Sequence, residues 1–432
     1  MTLETRMERL RTMTSVRSMG KVVNIVGMMI EASGLTANVG DICMLDGQQD
    51  STPIMSEVIG FKNGNILLVA YGDIKGVGLG SLVRSTGHKL LVSVGDFLIG
   101  RTIDATGNPI DGKDPFPEGE LYGVDSSYIN PLERPRISER LHFGIKAIDG
   151  TLTIGKGQRM GIFAGSGVGK STLMGMIARN VTADVNVIAL VGERGREVAE
   201  FMEKDLGPEG LARSVLVVAT SDQPAMYRMK CAMVATAIAE YFKDQGKDVL
   251  LMMDSLTRFA MAHREIGLAA GEPPIARGYT PSIYAELPKL LERTGNFKQG
   301  SITGIYTVLV EGDDTNEPIS DTVRGIIDGH IVLTRALAHK NHYPAIDINS
   351  SISRIMNDIV PEDHKLASVK IRDWLSTYNQ NADLISIGAY KPGLNHRLDE
   401  AVRKMDAVNQ FLCQRVDECV PFEETVQMMK EM

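Results

Sequence analysis

The chain has 432 residues, 43% of them hydrophobic and 23% charged, with a formal net charge of −8. That length accommodates about two to four domains with at least one large core. The acidic balance argues against a general nucleic-acid sleeve, and no uninterrupted apolar run approaches the roughly 18 residues that span a bilayer.

Met1-Thr-Leu-Glu-Thr-Arg6 contains no apolar signal core, so the expected compartment is the cytoplasm. Cys43, Cys231, Cys413 and Cys419 form no CxxC and no Cys/His cluster, which disfavours disulfides and zinc. All four are expected to be reduced thiols packed as small apolar groups. Leu3, Met7, Leu10 and Met13 recur at three- and four-residue spacing and predict a short amphipathic helix. It is too short to be stable alone and packs either on its own domain or on a partner.

From Gly20 to about Gly87 the pattern becomes short apolar strands: 21–26, 28–32, 41–45, 55–60, 65–70 and 81–84. Regular spacing between Gly, Asn and Asp turns predicts a small closed β-barrel with a structural or assembly role. A proline-interrupted transition follows, and then Met160–Phe163 reads as a buried strand. It breaks into a loop holding Gly165, Ser166, Gly167, Val168 and Gly169. Lys170, Ser171 and Thr172 then open a helix to about Arg179. Glycines let backbone N–H groups close around phosphates, a lysine reaches the β- and γ-phosphates, and the hydroxyl after it binds Mg²⁺. The usual first glycine is Ala164 here, at the strand end, where the backbone does not approach the phosphates.

Strands and helices then alternate. Val185–Val191 ends at Glu193, Val215–Ala219 ends at Asp222, and Val249–Met253 ends at Asp254; 302–310 and 331–333 are further strands. Continuous apolar strands separated by helices predict an α/β domain with a parallel sheet covered on both faces. Chemistry in such sheets gathers at the carboxyl ends of the strands. Asp254 is the candidate metal carboxylate, and Glu193 the candidate base that orients water against the γ-phosphate. The rival reading pairs Glu193 with Arg194 at the surface. Arg194 and Arg258 either reach phosphates or are structural. Arg354 follows the strand-like Ala345–Ile348 without a partner carboxylate nearby in sequence. Tyr343 offers an aromatic face to adenine or packs as an ordinary core tyrosine. Residues 362–380, 382–389 and 397–414 read as helices, with Trp374, the only tryptophan, on one of them.

Four stretches together carry a resemblance: Ala164-Gly-Ser-Gly-Val-Gly-Lys-Ser171, Gly192-Glu-Arg-Gly-Arg-Glu197, Met253-Asp-Ser-Leu-Thr-Arg258, and Tyr343 to Arg354. The chain resembles the rotary ATPase α/β-subunit superfamily. Within it, Asp244–Lys247, Gly267–Pro273, Leu287–Gly295 and Asp328–Arg335 are most similar to the type III protein-export ATPases, and Ala219–Ala225 and Ile387–Lys391 resemble the flagellar branch first, with the virulence injectisome as the near alternative. The resemblance implies a helix (1–18), a β-barrel (19–90), a RecA-like ATPase domain (91–355) and a helical C-terminal domain (356–432). It also implies ATP as substrate with Mg²⁺. Lys170 and Ser171 then bind phosphate and metal, Glu193 activates water, Asp254 serves the metal, and Tyr343 stacks on adenine. Arg354 becomes an arginine finger reaching a neighbour's nucleotide. Non-catalytic subunits of the superfamily lack the Glu193 carboxylate, so this chain is expected to be catalytic, as a homohexamer. Expected partners are a stator-like regulator dimer on the N-terminal helix, a coiled-coil stalk in the pore, an export gate, chaperones and export substrates. The expected place is the cytoplasmic face of the membrane at the export apparatus.

Overall fold

The computed structural model describes residues 19–47, 52–125, 129–310 and 317–432. The helix expected within 1–18 lies outside them. Six strands close a barrel in the order β1-β2-β5-β4-β3-β6. They are β1 Met19–Val26, β2 Met29–Ser33, β3 Asp41–Leu45, β4 Ile54–Lys62, β5 Asn65–Ala70 and β6 Leu82–Lys89. Alternate side chains point inward, so Ile30 and Ala32 on β2, Cys43 and Leu45 on β3, and Ile66, Leu68 and Ala70 on β5 fill the interior. Closure removes the sheet edges.

The barrel is fastened to the next domain by a buried charge pair. Lys230 Nζ lies 2.8 Å from Glu57 Oε2 on β4, with side chains 4% and 9% exposed. The Tyr71 hydroxyl donates to the same carboxylate at 2.5 Å. Replacing Lys230 with Met would leave Glu57 buried and uncompensated, at a cost of about 3–5 kcal/mol. Urea denaturation is expected to show that loss, and the double variant Lys230→Met, Glu57→Gln is expected to recover much of it. A single variant as stable as the parent would contradict the pairing.

The transition segment is more ordered than its sequence implies. β7 (Leu91–Val94) pairs with β9 (Glu120–Gly123), while β8 (Arg101–Asp104) runs parallel to a strand of the main sheet and forms its edge. Two-residue strands β10 (Arg140–Leu141) and β11 (Ile154–Gly155) pair with each other. The first central strand is β12 (Arg159–Ala164), followed by β13 (Val185–Glu193), β14 (Ser214–Thr220) and β15 (Asp248–Asp254). A short β16 (Gly295–Asn296) precedes β17 (Ser301–Leu309), β18 (Gly329–Leu333) and β19 (Ile352–Ser353). The order β19-β18-β12-β17-β15-β13-β14-β8 is parallel throughout except where β19 meets β18, and β16 flanks β17 antiparallel.

The apolar runs are continuous because both faces are buried. On β13, Val187, Ala189 and Val191 pack into one core with helix Ala225–Asp244. Ile188 and Leu190 face the other core, which holds Leu173–Ala178. The carboxyl-terminal helices Glu362–Gln380, Ala382–Ser386, His396–Leu412 and Phe422–Glu431 extend this second core through Trp374, Phe411 and Met429.

Several local expectations are corrected. Ala345–Ile348 is not a strand: Ile346 makes one isolated bridge to Leu333, and the Asp347 carboxylate turns the chain by accepting from the N–H groups of Asn349 and Ser350. The helix expected over 382–389 stops at Ser386, ahead of Gly388 at φ +71°. Helix Phe422–Glu431 was not anticipated. Cys43 and Cys231 are buried, as the small-apolar reading requires, but Cys419 is exposed.

Candidate active site

At the end of β12 the chain must reverse tightly before a helix starts. Gly167 and Gly169 do this at φ +79° and +86°, a left-handed region that costs side-chain-bearing residues energy. Helix α1 (Lys170–Asn180) then begins on Gly169. Its first N–H groups have no intrahelical acceptors and point, with the positive end of the helix dipole, at the loop's concavity.

A cavity of about 370 Å³ occupies that concavity. Gly165, Ser166, Gly167, Gly169, Lys170, Ser171 and Thr172 line one side, and Glu193, Arg194, Asp254 and Arg258 the other. Sheet order brings these together. β17 and β15 separate β12 from β13, so the ends of β15 and β13 open beside the loop. The register sets Leu190 opposite Asp254, so Glu193 projects three residues further along its strand. The side chain of Val168, expected in the nucleotide set, packs into the core and is 1% exposed, so its expected part in the loop falls to its backbone N–H. Asp222 is also elsewhere: its strand lies beyond β13, and it lines a separate cleft with Gly27, Met28 and Asp73 near the barrel.

Lys170 Nζ contacts Asp254 Oδ1 and lies 3.9 Å from Glu193 Oε1. Thr307 on β17 donates to Asp254 Oδ1 at 2.6 Å, fixing the buried carboxylate. Arg194 is not paired with Glu193; its side chain, 76% exposed, bridges to Glu197 at 3.0 Å. Arg258 stacks over Gly192, and its Nε is buried without a hydrogen-bond partner among the described residues. The Tyr343 ring borders Gly169, about 3.5 Å from where a Cβ there would sit, and is 41% exposed. Arg354 is exposed on a different surface, outside the cavity's lining.

Family models and relatives agree with this geometry. Residues 144–353 match the nucleotide-binding domain of the ATP synthase alpha/beta family, 22–87 match its beta-barrel domain, and 360–431 match the T3SS EscN ATPase C-terminal domain. The flagellum-specific ATP synthase of Bacillus subtilis (strain 168) is 56% identical over 414 residues, 95% of this chain and 94% of that protein. The chain belongs to the ATP synthase alpha/beta family, among its type III export ATPases. The assembled ATPase EscN of the enteropathogenic E. coli type III secretion system superposes with a TM-score of 0.90 at 44% identity, over 95% of this export ATPase and 99% of EscN. EscN in complex with its central stalk EscO superposes at 0.88, again at 44% identity over 95% and 99% of the two chains.

Electrostatics in the export ATPase favour a poised base. Burial, and then the neighbouring Asp254 charge, push the Glu193 carboxyl up to about 7, against the pull of Lys170. Glu197 shares a hydrogen bond with Glu193 and is itself held below the usual carboxylate range. The donor set suits Mg²⁺. It offers one buried carboxylate, Asp254, and one hydroxyl, Ser171, beside a phosphate cradle, and this ion is commonly held by one or two protein oxygens plus substrate phosphates. Among the described residues no group of three or more His, Cys, Asp or Glu side chains forms a metal cage.

Three contributors are not among the expected site residues. Thr307 sits mid-strand, and Glu197 closes the Gly192–Glu197 stretch without an expected role of its own. Gln414 lies in a loop of the C-terminal domain, where its backbone N–H donates to Tyr343 O at 2.9 Å. Its side chain donates to Gly144 O at 2.7 Å and accepts from Lys146 N at 2.8 Å. Gln414 therefore ties Tyr343 to the strand-entry segment, a link across 270 residues that no local pattern announces.

Proposed function

We propose that this chain hydrolyses ATP as a homohexameric ring and that hydrolysis powers type III protein export for flagellum assembly. One observation carries the reading: Lys170, Glu193 and Asp254 converge on a single cavity, while Arg354 of the same chain stands exposed away from it. A chain with a pocket on one surface and a finger on another completes its sites only when identical copies close a ring.

Without nucleotide, the Lys170 ammonium neutralises Asp254 and Glu193. Arriving phosphates compete for that ammonium, and its departure frees one carboxylate for the metal and the other for water. The loop N–H groups and Lys170 hold the β- and γ-phosphates, with Ser171 and Asp254 on the Mg²⁺ side. Tyr343 stacks on adenine. Ser171 and Asp254 would hold Mg²⁺, which would supply neutralisation of the phosphate charge. Glu193 accepts a proton from, and aims, the water in line with the γ-phosphorus. Arg258 supports the charge within the subunit, Arg194 stands at the mouth, and Arg354 of the neighbour stabilises the charge spread over the transferring oxygens.

The flagellar reading draws support from 56% and 51% identity to the flagellum-specific ATP synthases of B. subtilis and Treponema pallidum, against 49% to the type 3 secretion system ATPase of Xanthomonas euvesicatoria. A coiled-coil stalk in the pore follows by analogy with the EscN complex. We place the regulator dimer on the N-terminal segment, and the gate, chaperones and substrates at the cytoplasmic membrane face. No helix among the described residues is long and apolar enough to cross a membrane.

The test pairs biochemistry with genetics. Specific ATPase activity of the purified chain is expected to rise with its concentration as rings form. The gene is expected to restore hook-protein export to a flagellated strain lacking its own export ATPase. Concentration-independent activity would remove the ring, and restored needle export without hook export would favour an injectisome. Hydrolysis stimulated by RNA and lost with salt would indicate a nucleic-acid motor.

A further inference from the structure

Arg354 leaves the subunit from the end of β19, whose two residues pair with Gly329 and His330 of β18. Its own N–H donates to Asp328 O at 3.0 Å. The segment leading into it, 349–353, faces helix Glu362–Gln380 of the C-terminal domain across a cavity of about 380 Å³. Ile348 and Ile371 pack in the shared core beside this cavity, and at the cavity itself the Arg372 guanidinium links the helix to the segment. Arg372 Nη1 donates to Ile348 O and, at 3.2 Å, to Ser351 O, while Nη2 donates to Thr151 O at 2.8 Å.

This is an unusual use of a cation. Arg372 is half-buried, burial pulls its pKa down against the raising effect of the Asp347 charge, and its side-chain hydrogen bonds go to carbonyls. Holding a partly buried charge chiefly on carbonyls is unfavourable compared with packing an apolar side chain. What the guanidinium adds is geometry, because its donors form a rigid planar fork. Three carbonyls from two segments are tied by one side chain to a helix of the C-terminal domain.

We propose that Arg372 is a positioning residue for Arg354. It fixes the angle at which the finger leaves its subunit, so hydrolysis in the neighbour's pocket depends on how the C-terminal helices sit. The inference rests on the reading that Arg354 works in trans.

The test uses the full chain as assembled rings. Arg372→Met keeps side-chain bulk and removes the donors; Arg372→Lys keeps the charge and loses the fork. Both are expected to keep the ATP KM and the ring mass, with kcat lowered at least about tenfold in Arg372→Met and less in Arg372→Lys. Mixing is the decisive arm. Rings of Arg372→Met with Glu193→Gln subunits contain interfaces where an intact finger meets an intact pocket, on the order of a quarter of the total at equal mixing. Activity is therefore expected to exceed the sum of the two parents, as it should for Arg354→Ala mixed with Glu193→Gln. Rescue of Arg354→Ala but not of Arg372→Met would place the Arg372 defect in its own site and overturn the proposal. Rescue of neither would remove the trans reading and the proposal with it. If Arg372→Met fails to fold, Arg372→Lys decides: a lowered kcat rescued by mixing supports positioning, and a parental kcat overturns it.

Discussion

Glu193→Gln is expected to lower kcat for ATP by about 10²–10⁴, the usual contribution of a positioned general base, while nucleotide affinity stays near the parental value. The exchange keeps the side chain's size but removes its capacity to accept a proton. Phosphate binding rests on the loop and Lys170, which line the other side of the cavity. Losing the carboxylate also relieves repulsion with Asp254, one of the causes that raise the Glu193 pKa, so binding should not weaken. The parent's pH profile provides a second arm. Glu193 must be ionised to act, and its carboxyl is pushed up to about 7. The value of kcat/KM, which reports the free enzyme, should therefore rise with pH across that range. Steady-state hydrolysis and equilibrium binding of a fluorescent nucleotide test both arms. Parental turnover in the Gln variant would sink the assignment of Glu193 as the base.

Arg354→Ala should be at least as damaging, with turnover reduced by about 10³–10⁵ as for other arginine fingers. Its fold should be unaffected. The side chain is exposed, and its one side-chain hydrogen bond among the described residues, to Arg324 O, is long at 3.4 Å, so truncation belongs with surface substitutions that cost about 0.5 kcal/mol or less. ATP affinity measured on unassembled chains should match the parent, because no part of the cavity lining has changed. A loss of kcat without a loss of stability or monomer affinity is hard to produce from within one subunit. Equal losses of affinity and turnover in the monomer would instead make Arg354 part of its own chain's site.

Much of this site could be read from sequence because its parts are local. The loop from Gly165 to Ser171 is one strand–turn–helix unit, and its backbone path is dictated by two left-handed glycines. Asp254 and Glu193 were found because unbroken apolar runs end at them and parallel strands end at one edge. The same rule failed at Asp222, since strand order is not written in strand composition: β14 lies on the far side of β13 from the loop. Motif membership says nothing of side-chain direction: the Val168 side chain faces the core, and the Arg194 side chain pairs with Glu197 at the cavity's edge. Thr307, Gln414 and Arg372 were missed because each acts on residues distant in sequence.

The closed barrel, the parallel sheet and the phosphate loop are legible in the sequence, as are the places of Lys170 in that loop and of Glu193 and Asp254 at strand ends. All of these follow from periodicity, turn chemistry or contiguous motif, whose physics acts within about a dozen residues. Only the tertiary structure decided which strand ends meet the loop, which groups the Lys170 ammonium neutralises, and that Arg354 stands apart from its own pocket. Those are consequences of sheet order and domain packing, set by long-range burial rather than by any residue's neighbours in the chain.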